Sequence, residues 1–268
     1  AYEIYQCDWS SDVCSSDLAA LYVKAAPPDG YTVLLGSFAT LAVNASLVAN
    51  LPYDPAKDFA AVSLLWSSPT LVVVPAGSPA RNIADLMAMI RKAPEAVSYA
   101  SSGFGTTGHL GGSMIAVAAG QPMVHVPYKG SNDILKDLLA GRLDMYIGSY
   151  ASFAPYYKAG KIRLLSSVTA KRNPVVPDVP TMIELGYPDI HFDGWFGIVA
   201  PLKTPAPVVQ RLHDELVKAA NAPEVVAKFT EQGTIPLTSS TPAEFSAFIA
   251  AEVPRLARVV KLSGAKAE

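Results

Sequence analysis

The chain has 268 residues, half of them apolar, 16% of them charged, with a formal net charge of -2. That is enough chain for one large domain or two modest ones with a substantial core, and the near-neutral charge with singly scattered Lys and Arg excludes the basic surface that nucleic acid requires. Apolar runs such as Leu71 to Ala76 and Ile198 to Pro201 fall far short of the roughly 20 residues that span a bilayer.

The start of the chain differs from the rest. Residues 7 to 18, CDWSSDVCSSDL, repeat a Ser-Ser-Asp unit and hold both cysteines, with no sustained period of either two or 3.6 residues. No basic start, apolar stretch and small-residue cleavage site appear in it. The stretch looks like translated sequencing-adapter DNA joined to a truncated gene, so residues 1 to 18 are set aside as a non-native segment. Beyond residue 18 there is no cysteine, hence no disulfide framework and no thiolate chemistry in the body of the chain.

From Tyr31 onward β-branched runs alternate with segments of helical period. Strands are expected at Tyr31 to Gly36, Leu71 to Pro75, Val97 to Ser101, Met123 to Tyr128, Leu143 to Gly148, Ile162 to Val168 and Trp195 to Ala200. Helices are expected at Asn82 to Lys92, Thr106 to Ala119, Ser131 to Ala140 and Phe153 to Ala159, where apolar residues recur at three and four. This alternation reads as α/β with mostly parallel sheets. The tail from Pro205 to Gly264 is helical in pattern, with Thr204-Pro205 as a helix start and Thr241-Pro242-Ala243-Glu244 as a capping box. Proline-marked breaks at 75 to 79 and 201 to 207 suggest a chain that leaves one lobe and returns, giving lobe one as 19 to 75 plus 197 to 268 and lobe two as 76 to 196.

Gly103-Phe104-Gly105-Thr106-Thr107-Gly108 is a formal G-x-G-x-x-G between an expected strand and helix. A dinucleotide fold would also need an acid about 20 residues on, at the end of the next strand. The first acid after MVHVPY is Asp133, already in a helix, which weakens an NAD(P)-dependent oxidoreductase. What remains is a turn whose glycines admit a ligand close to the backbone, with the N–H groups of a helix start facing it. Ser101, Ser102, Thr106 and Thr107 add hydroxyls, and His109 lies in the first turn. That is a site for a small anion such as a carboxylate; for the motif alone, a glycine turn with no ligand stands level with it.

Strand ends are where α/β sheets bind ligands, and three other ends carry candidates: Ser37, Phe38, Ala39 and Thr40; Tyr128 and Lys129; and Ser149. No G-x-S-x-G, H-E-x-x-H, P-loop, paired carboxylates or metal-ligand spacing is present, so neither catalysis, a metal nor a cofactor is expected.

The segments PPDGYTVLLGSFATLAVN (28 to 44), LPYDPAKDFAAVSLL (51 to 65), SYASSGFGTTGHL (98 to 110), VHVPYKGS (124 to 131), AGRLDMYIGS (140 to 149), AGKIRLLSSVTAKRNPVVPDVPTMIELG (159 to 186), GWFGIVAPLKTP (194 to 205) and VVKLSGAK (259 to 266) together resemble the Bug family. These are the periplasmic solute-binding receptors of tripartite tricarboxylate transport systems. The resemblance implies a two-lobe, type II periplasmic-binding-protein fold with a hinge and an interlobe cleft. It implies a monomeric receptor that captures a di- or tricarboxylate, an acidic amino acid or an aromatic acid for membrane transporter subunits. Gly103 and Gly105 fall with Ser101 to Thr107 in the matching carboxylate loop, and Ser37 to Thr40 in a segment lining the opposite wall. Family members begin with a signal peptide and a first strand ending in a glycine-rich loop; the sequence here departs from that pattern, so the first strand–helix unit is expected to be missing. A ligand-sensing effector domain of the same fold is the remaining alternative.

Overall fold

The computed structural model describes residues 3–5, 13–93 and 95–266. Two five-stranded sheets organise them. The first has the order β1 (Glu3–Tyr5), β2 (Thr32–Ser37), β9 (Gly194–Pro201), β3 (Phe59–Ser68), β10 (Ile235–Pro236), and the second β6 (Val124–Pro127), β5 (Ser98–Ser101), β7 (Met145–Ser149), β4 (Thr70–Pro75), β8 (Ile162–Ser167). The helices are α1 (Val13–Ala25), a π-helical turn Ala39–Val43 running into α2 (Asn44–Leu47), α3 (Ile83–Lys92), α4 (Thr107–Ala119), α5 (Ser131–Leu139), α6 (Tyr150–Lys158), α7 (Ala206–Ala220), α8 (Pro223–Glu231) and α9 (Pro242–Ser263).

Local chemistry sets the helix ends. Asn82 caps α3 by accepting from the Asp85 N–H at 2.9 Å, and Thr241 caps α9 by accepting from the Glu244 N–H at 3.1 Å. The Glu244 carboxylate reaches back one residue further than a strict capping box, to the Ser240 N–H at 2.6 Å. Thr204 does not cap: Pro205 holds the cap position of α7 and the Thr204 hydroxyl is buried without a partner.

Helix α4 lies directly on the second sheet because it carries glycine where side chains would collide. A Cβ on Gly108 would come within 2.7 Å of the Ile147 carbonyl, and one on Gly112 within 2.1 Å of the Tyr99 ring. The apolar face of α3 (Ile83, Leu86, Met87, Ile90) packs into the same core, which continues through Leu110, Met114 and Ile147 to Trp195, Leu34 and Phe245 of the first sheet's side. The hydrophobic core is therefore continuous between the lobes on the α4–α9 side. Separate clusters lie under α5 and α6 (Ile134, Leu138, Phe153) and under α7 (Val62, Ile198, Val209).

Several sequence expectations need correction. The lobe boundary at 75 falls inside the wrong sheet, since β4 pairs with β7 and β8; the chain changes sheet at Pro69 and returns before Gly194. The Pro75 to Pro79 break is instead the turn leading from β4 towards α3. Strand β3 escaped the sequence reading because its burial is nearly continuous and its register shifts twice against β9, which disrupts any period of two. The tail is not wholly helical, because β10 intervenes. A strand and a helix do occupy the place of the unit expected to be missing: β1 runs parallel to β2, and α1 packs on β2 and β9. Residues 1, 2 and 6 to 12 lie outside the described residues, but α1 runs through position 18, and Asp17 accepts from Asn44 Nδ2 at 2.9 Å and Tyr53 Oη at 2.7 Å.

Candidate functional site

Strands β5, β6 and β7 are parallel, so Ser101, Tyr128 and Ser149 emerge at one end of the second sheet. Thr70, opening antiparallel β4, pairs with Ser149 at that end. In the first sheet Ser37 pairs with Phe196, and Ser68 with Gly194, at the end where the chain crosses between sheets. A Cβ on Gly194 would stand 3.3 Å from the Ser68 carbonyl and 3.5 Å from the Thr107 methyl. The crossing strands and the start of α4 thus share one small volume.

The two candidate loops meet across the lobes. Gly105 has φ +73°, and a Cβ there would lie 2.8 Å from Leu47 Cδ2, 3.4 Å from Asn44 Oδ1 and 3.6 Å from Val43 Cγ1. These are residues of the π-turn and α2 that follow directly on Ser37 to Thr40. The loop itself is tied internally: Ser37 Oγ lies 3.2 Å from Thr40 Oγ1 and accepts from the Thr40 N–H at 3.3 Å. Phe38 and Thr40 are buried, Ser37 and Ala39 half-buried.

In the glycine turn most hydroxyls shape the backbone. Ser101 Oγ donates to the Gly103 carbonyl at 3.0 Å and accepts from the Gly103 N–H at 3.3 Å. Thr106 Oγ1 donates to the same carbonyl at 2.7 Å and accepts from the His109 N–H at 3.4 Å, capping α4. With the His109 N–H capped and the Leu110 N–H bonded to the Thr106 carbonyl at 3.0 Å, the N–H groups of Thr107 and Gly108 are the first-turn donors with no place in the helical ladder. Ser102 is half-buried on the rim. A pair of amide donors at a helix start suits an anion.

Behind the turn the histidines stack. The His109 and His125 rings lie 4.5 Å apart at 20°, Tyr99 stacks on the far face of the pair at 4.9 Å from His125, and Phe104 meets both imidazoles edge-on. His109 Nδ1 accepts the Gly105 N–H at 3.1 Å. Burial holds both imidazoles down at about 4, with His109 adding to the effect on His125. His109, expected on the ligand side, thus spends its Nδ1 on the turn.

Tyr128 and Lys129 diverge. The Tyr128 hydroxyl donates to Asp137 Oδ2 at 2.7 Å, and desolvation followed by that bond pushes its phenol up to about 12; Lys129 is exposed. Ser149 sits at the cap position of α6, its carbonyl accepting from Ser152 Oγ at 2.7 Å.

Two residues at this end of the sheets were missed by sequence reasoning. Among the described residues, the buried Thr70 hydroxyl and the buried Asn44 Oδ1 have no hydrogen-bond partner. Asn44 spends its amide nitrogen on the Asp17 carboxylate, which can only accept when ionised, so the oxygen is left at the Gly105 contact. The signal for Asn44 was only its place within LAVNA, an ordinary apolar run. The return segment carries a third feature: Asp193, mostly buried, is pushed up to about 6 by desolvation against the pull of Arg255. Arg255 in turn holds Glu252 at 2.6 and 2.9 Å and the His191 carbonyl at 3.2 Å, and Glu252 accepts from Trp195 Nε1 at 3.0 Å.

A surface concavity lies elsewhere. It measures about 900 Å³ and is lined by Asp29, Gly30, Tyr31, Val208, Arg211 and Glu215, between the turn before β2 and α7. Its lining mixes one guanidinium with two carboxylates, whereas the loop junction offers neutral donors to an anion.

Residues 15–264 match the profile of the tripartite tricarboxylate transporter family receptor. The chain belongs to that family. It is 39% identical over 225 residues to a UPF0065 protein of Pseudomonas sp. strain P51, covering 84% of this chain and 66% of that protein. It is 33% identical over 239 residues to protein BugT of Bordetella pertussis, covering 89% of this chain and 73% of BugT. The chain thus spans about two thirds of the length of the first of these relatives. Among solved structures, Rpa4515 of R. palustris with adipate superposes with a TM-score of 0.86 at 33% identity, covering 95% of this chain and 85% of that one. The periplasmic binding protein BugD gives 0.85 at 29%, covering 94% and 84%. MatC from Rhodopseudomonas palustris with bound malate gives 0.83 at 28%, covering 91% and 84%. The fold is that of the two-lobed periplasmic binding proteins.

Proposed function

We propose that this chain is a periplasmic receptor that binds a small carboxylate in the cleft between its lobes and passes it to the membrane subunits of a tripartite transporter, acting as a monomer without catalysis, metal or cofactor. The observation that carries this reading is the junction of Gly105 with Val43, Asn44 and Leu47, which sets the glycine turn of one lobe against the loop that begins at Ser37 in the other. One ligand carboxylate is held by the Thr107 and Gly108 N–H groups with Ser102 on the rim, and the Ser37–Thr40 loop closes the opposite wall. The adipate and malate seen in two family structures support a carboxylate of this size. A dinucleotide is disfavoured at the same turn, because β6 ends at Pro127 and is followed by Tyr128 and Lys129 where a ribose-binding acid would stand.

The test is calorimetric titration with succinate, adipate, malate, aspartate and nicotinate. The reading expects micromolar binding of at least one, and at least tenfold weaker binding by the Ser102→Ala, Thr106→Ala double variant. Undiminished affinity in that variant would place the site elsewhere.

A further inference from the structure

The stacked pair His109 and His125 lies beneath the glycine turn, and its hydrogen bonds fix the tautomers. Ser101 Oγ has one proton, which goes to the Gly103 carbonyl at 3.0 Å. With the Ser101 proton so placed, His125 Nε2, 2.7 Å from the same oxygen, is the donor. His109 Nδ1 accepts the Gly105 N–H at 3.1 Å, so it is bare and His109 carries its proton on Nε2. His109 is neutral in this network, and each ring grips a different residue of the turn: His125 holds Ser101 and, through it, Gly103; His109 holds Gly105.

The consequence for the turn is directional. Gly103 (φ +122°) and Gly105 (φ +73°) take backbone conformations that favour glycine. The Gly105 N–H is drawn inward onto the imidazole, away from any ligand. The chain then arrives at Thr106 with the Gly103 carbonyl occupied by two hydroxyls and the N–H groups of Thr107 and Gly108 outside the helical ladder.

We infer that His109 and His125 are positioning residues for the carboxylate site, His125 anchoring Ser101 and His109 holding Gly105 only while its own Nδ1 is unprotonated. Protonating His109 Nδ1 would set an N–H against the Gly105 N–H and break the bond. Charging both rings would also set two cations face to face. The titratable groups that face the pair are each other and the Tyr99 phenol, which is held by Ser113 at 3.0 Å; among the described residues neither imidazole has a carboxylate partner that could stabilise its charged form. Burial keeps both at about 4, so the turn is intact at neutral pH and yields as acid reaches that range. The inference rests on the carboxylate reading of the site.

The experiment compares the wild-type chain with His109→Phe, which keeps an aromatic ring in the stack but has no acceptor, and His109→Asn, which places an amide oxygen near the position of Nδ1 and does not titrate. Affinity for adipate is measured from pH 7.5 to 3.5, with melting temperature recorded alongside. At pH 7.5 His109→Phe is expected to bind at least tenfold more weakly than wild type while His109→Asn stays within about threefold. On acidification the wild type loses more affinity than His109→Asn; adipate's own protonation is common to both and cancels. Nitrogen-15 NMR of wild type is expected to show His109 protonated on Nε2 with Nδ1 bare. Equal binding by His109→Phe and wild type, identical acid profiles for wild type and His109→Asn, or a proton on His109 Nδ1 would overturn the inference. If the wild type binds no carboxylate at all, the functional reading itself fails, while the tautomer result still reports on the histidine network.

Discussion

Gly105 and Leu47 touch across the two lobes so closely that a single added carbon on the glycine would lie 2.8 Å from a Leu47 methyl. Gly105 also has φ +73°. Gly105→Ala therefore combines a left-handed backbone, costing about 1–2 kcal/mol, with a collision that pushes the lobes apart. We expect ligand affinity to fall at least tenfold, a larger effect than the loss of overall stability, and small-angle scattering with ligand to show incomplete closure. Wild-type affinity in this variant would mean that the contact is not made in the loaded receptor.

Thr70 separates stability from binding. Its hydroxyl is buried at the cleft end of β4 with no partner, so Thr70→Val removes a desolvated group of nearly the same shape. The free protein is expected to gain about 1 kcal/mol, read as a higher denaturant midpoint, and to bind its carboxylate more weakly. A loss of stability would show that the hydroxyl is satisfied in solution.

At the return crossing, Glu252 anchors Trp195 and Arg255 together. Glu252→Ala leaves a buried indole N–H unpaired and takes from the half-buried guanidinium its carboxylate partner, leaving it the His191 carbonyl. The cost should be about 1–3 kcal/mol, measured by urea unfolding, whereas Glu252→Gln, which still accepts from Trp195, should cost less. Similar losses for both would mean the charge rather than the indole bond dominates.

Stability against pH follows from three buried groups with opposite signs. His109 and His125 titrate at about 4 in the folded chain, below the unfolded 6.5, so the unfolded chain takes up more protons between those values and stability falls as pH drops from 6.5 to 4. Asp193, raised to about 6 from 3.8, does the reverse: its contribution is present at low pH and lost as pH rises from 4 to 6, by roughly 2–3 kcal/mol. Two histidines outweigh one carboxyl, so the melting temperature should fall on acidification, and Asp193→Asn should raise stability at pH 7.5 and steepen the acid fall. A flat profile in that variant would contradict the assignment.

The glycine turn was legible in sequence because strand, glycines and helix start fall in one stretch of ten residues. Its partner across the cleft was legible only as a strand end, since nothing in LAVNA distinguishes Asn44 from a core residue until the fold brings Gly105 onto it. His109 and His125 stand 16 residues apart in sequence, on α4 and β6; their stacking depends on parallel pairing of β5 with β6, which no local pattern encodes. The lobe boundary was misplaced because proline marks a turn without saying which sheet the preceding strand has joined. Strand β3 was hidden by burial on both faces and two register shifts.

The most direct measurement is a nitrogen-15 amide titration of the chain with adipate at pH 7.5. The account predicts that the largest shifts fall on residues 102 to 108 and 37 to 44, with Thr107 and Gly108 moving downfield as their N–H groups take the carboxylate. Shifts centred instead on Asp29 to Tyr31 and Arg211, around the 900 Å³ concavity, would contradict it.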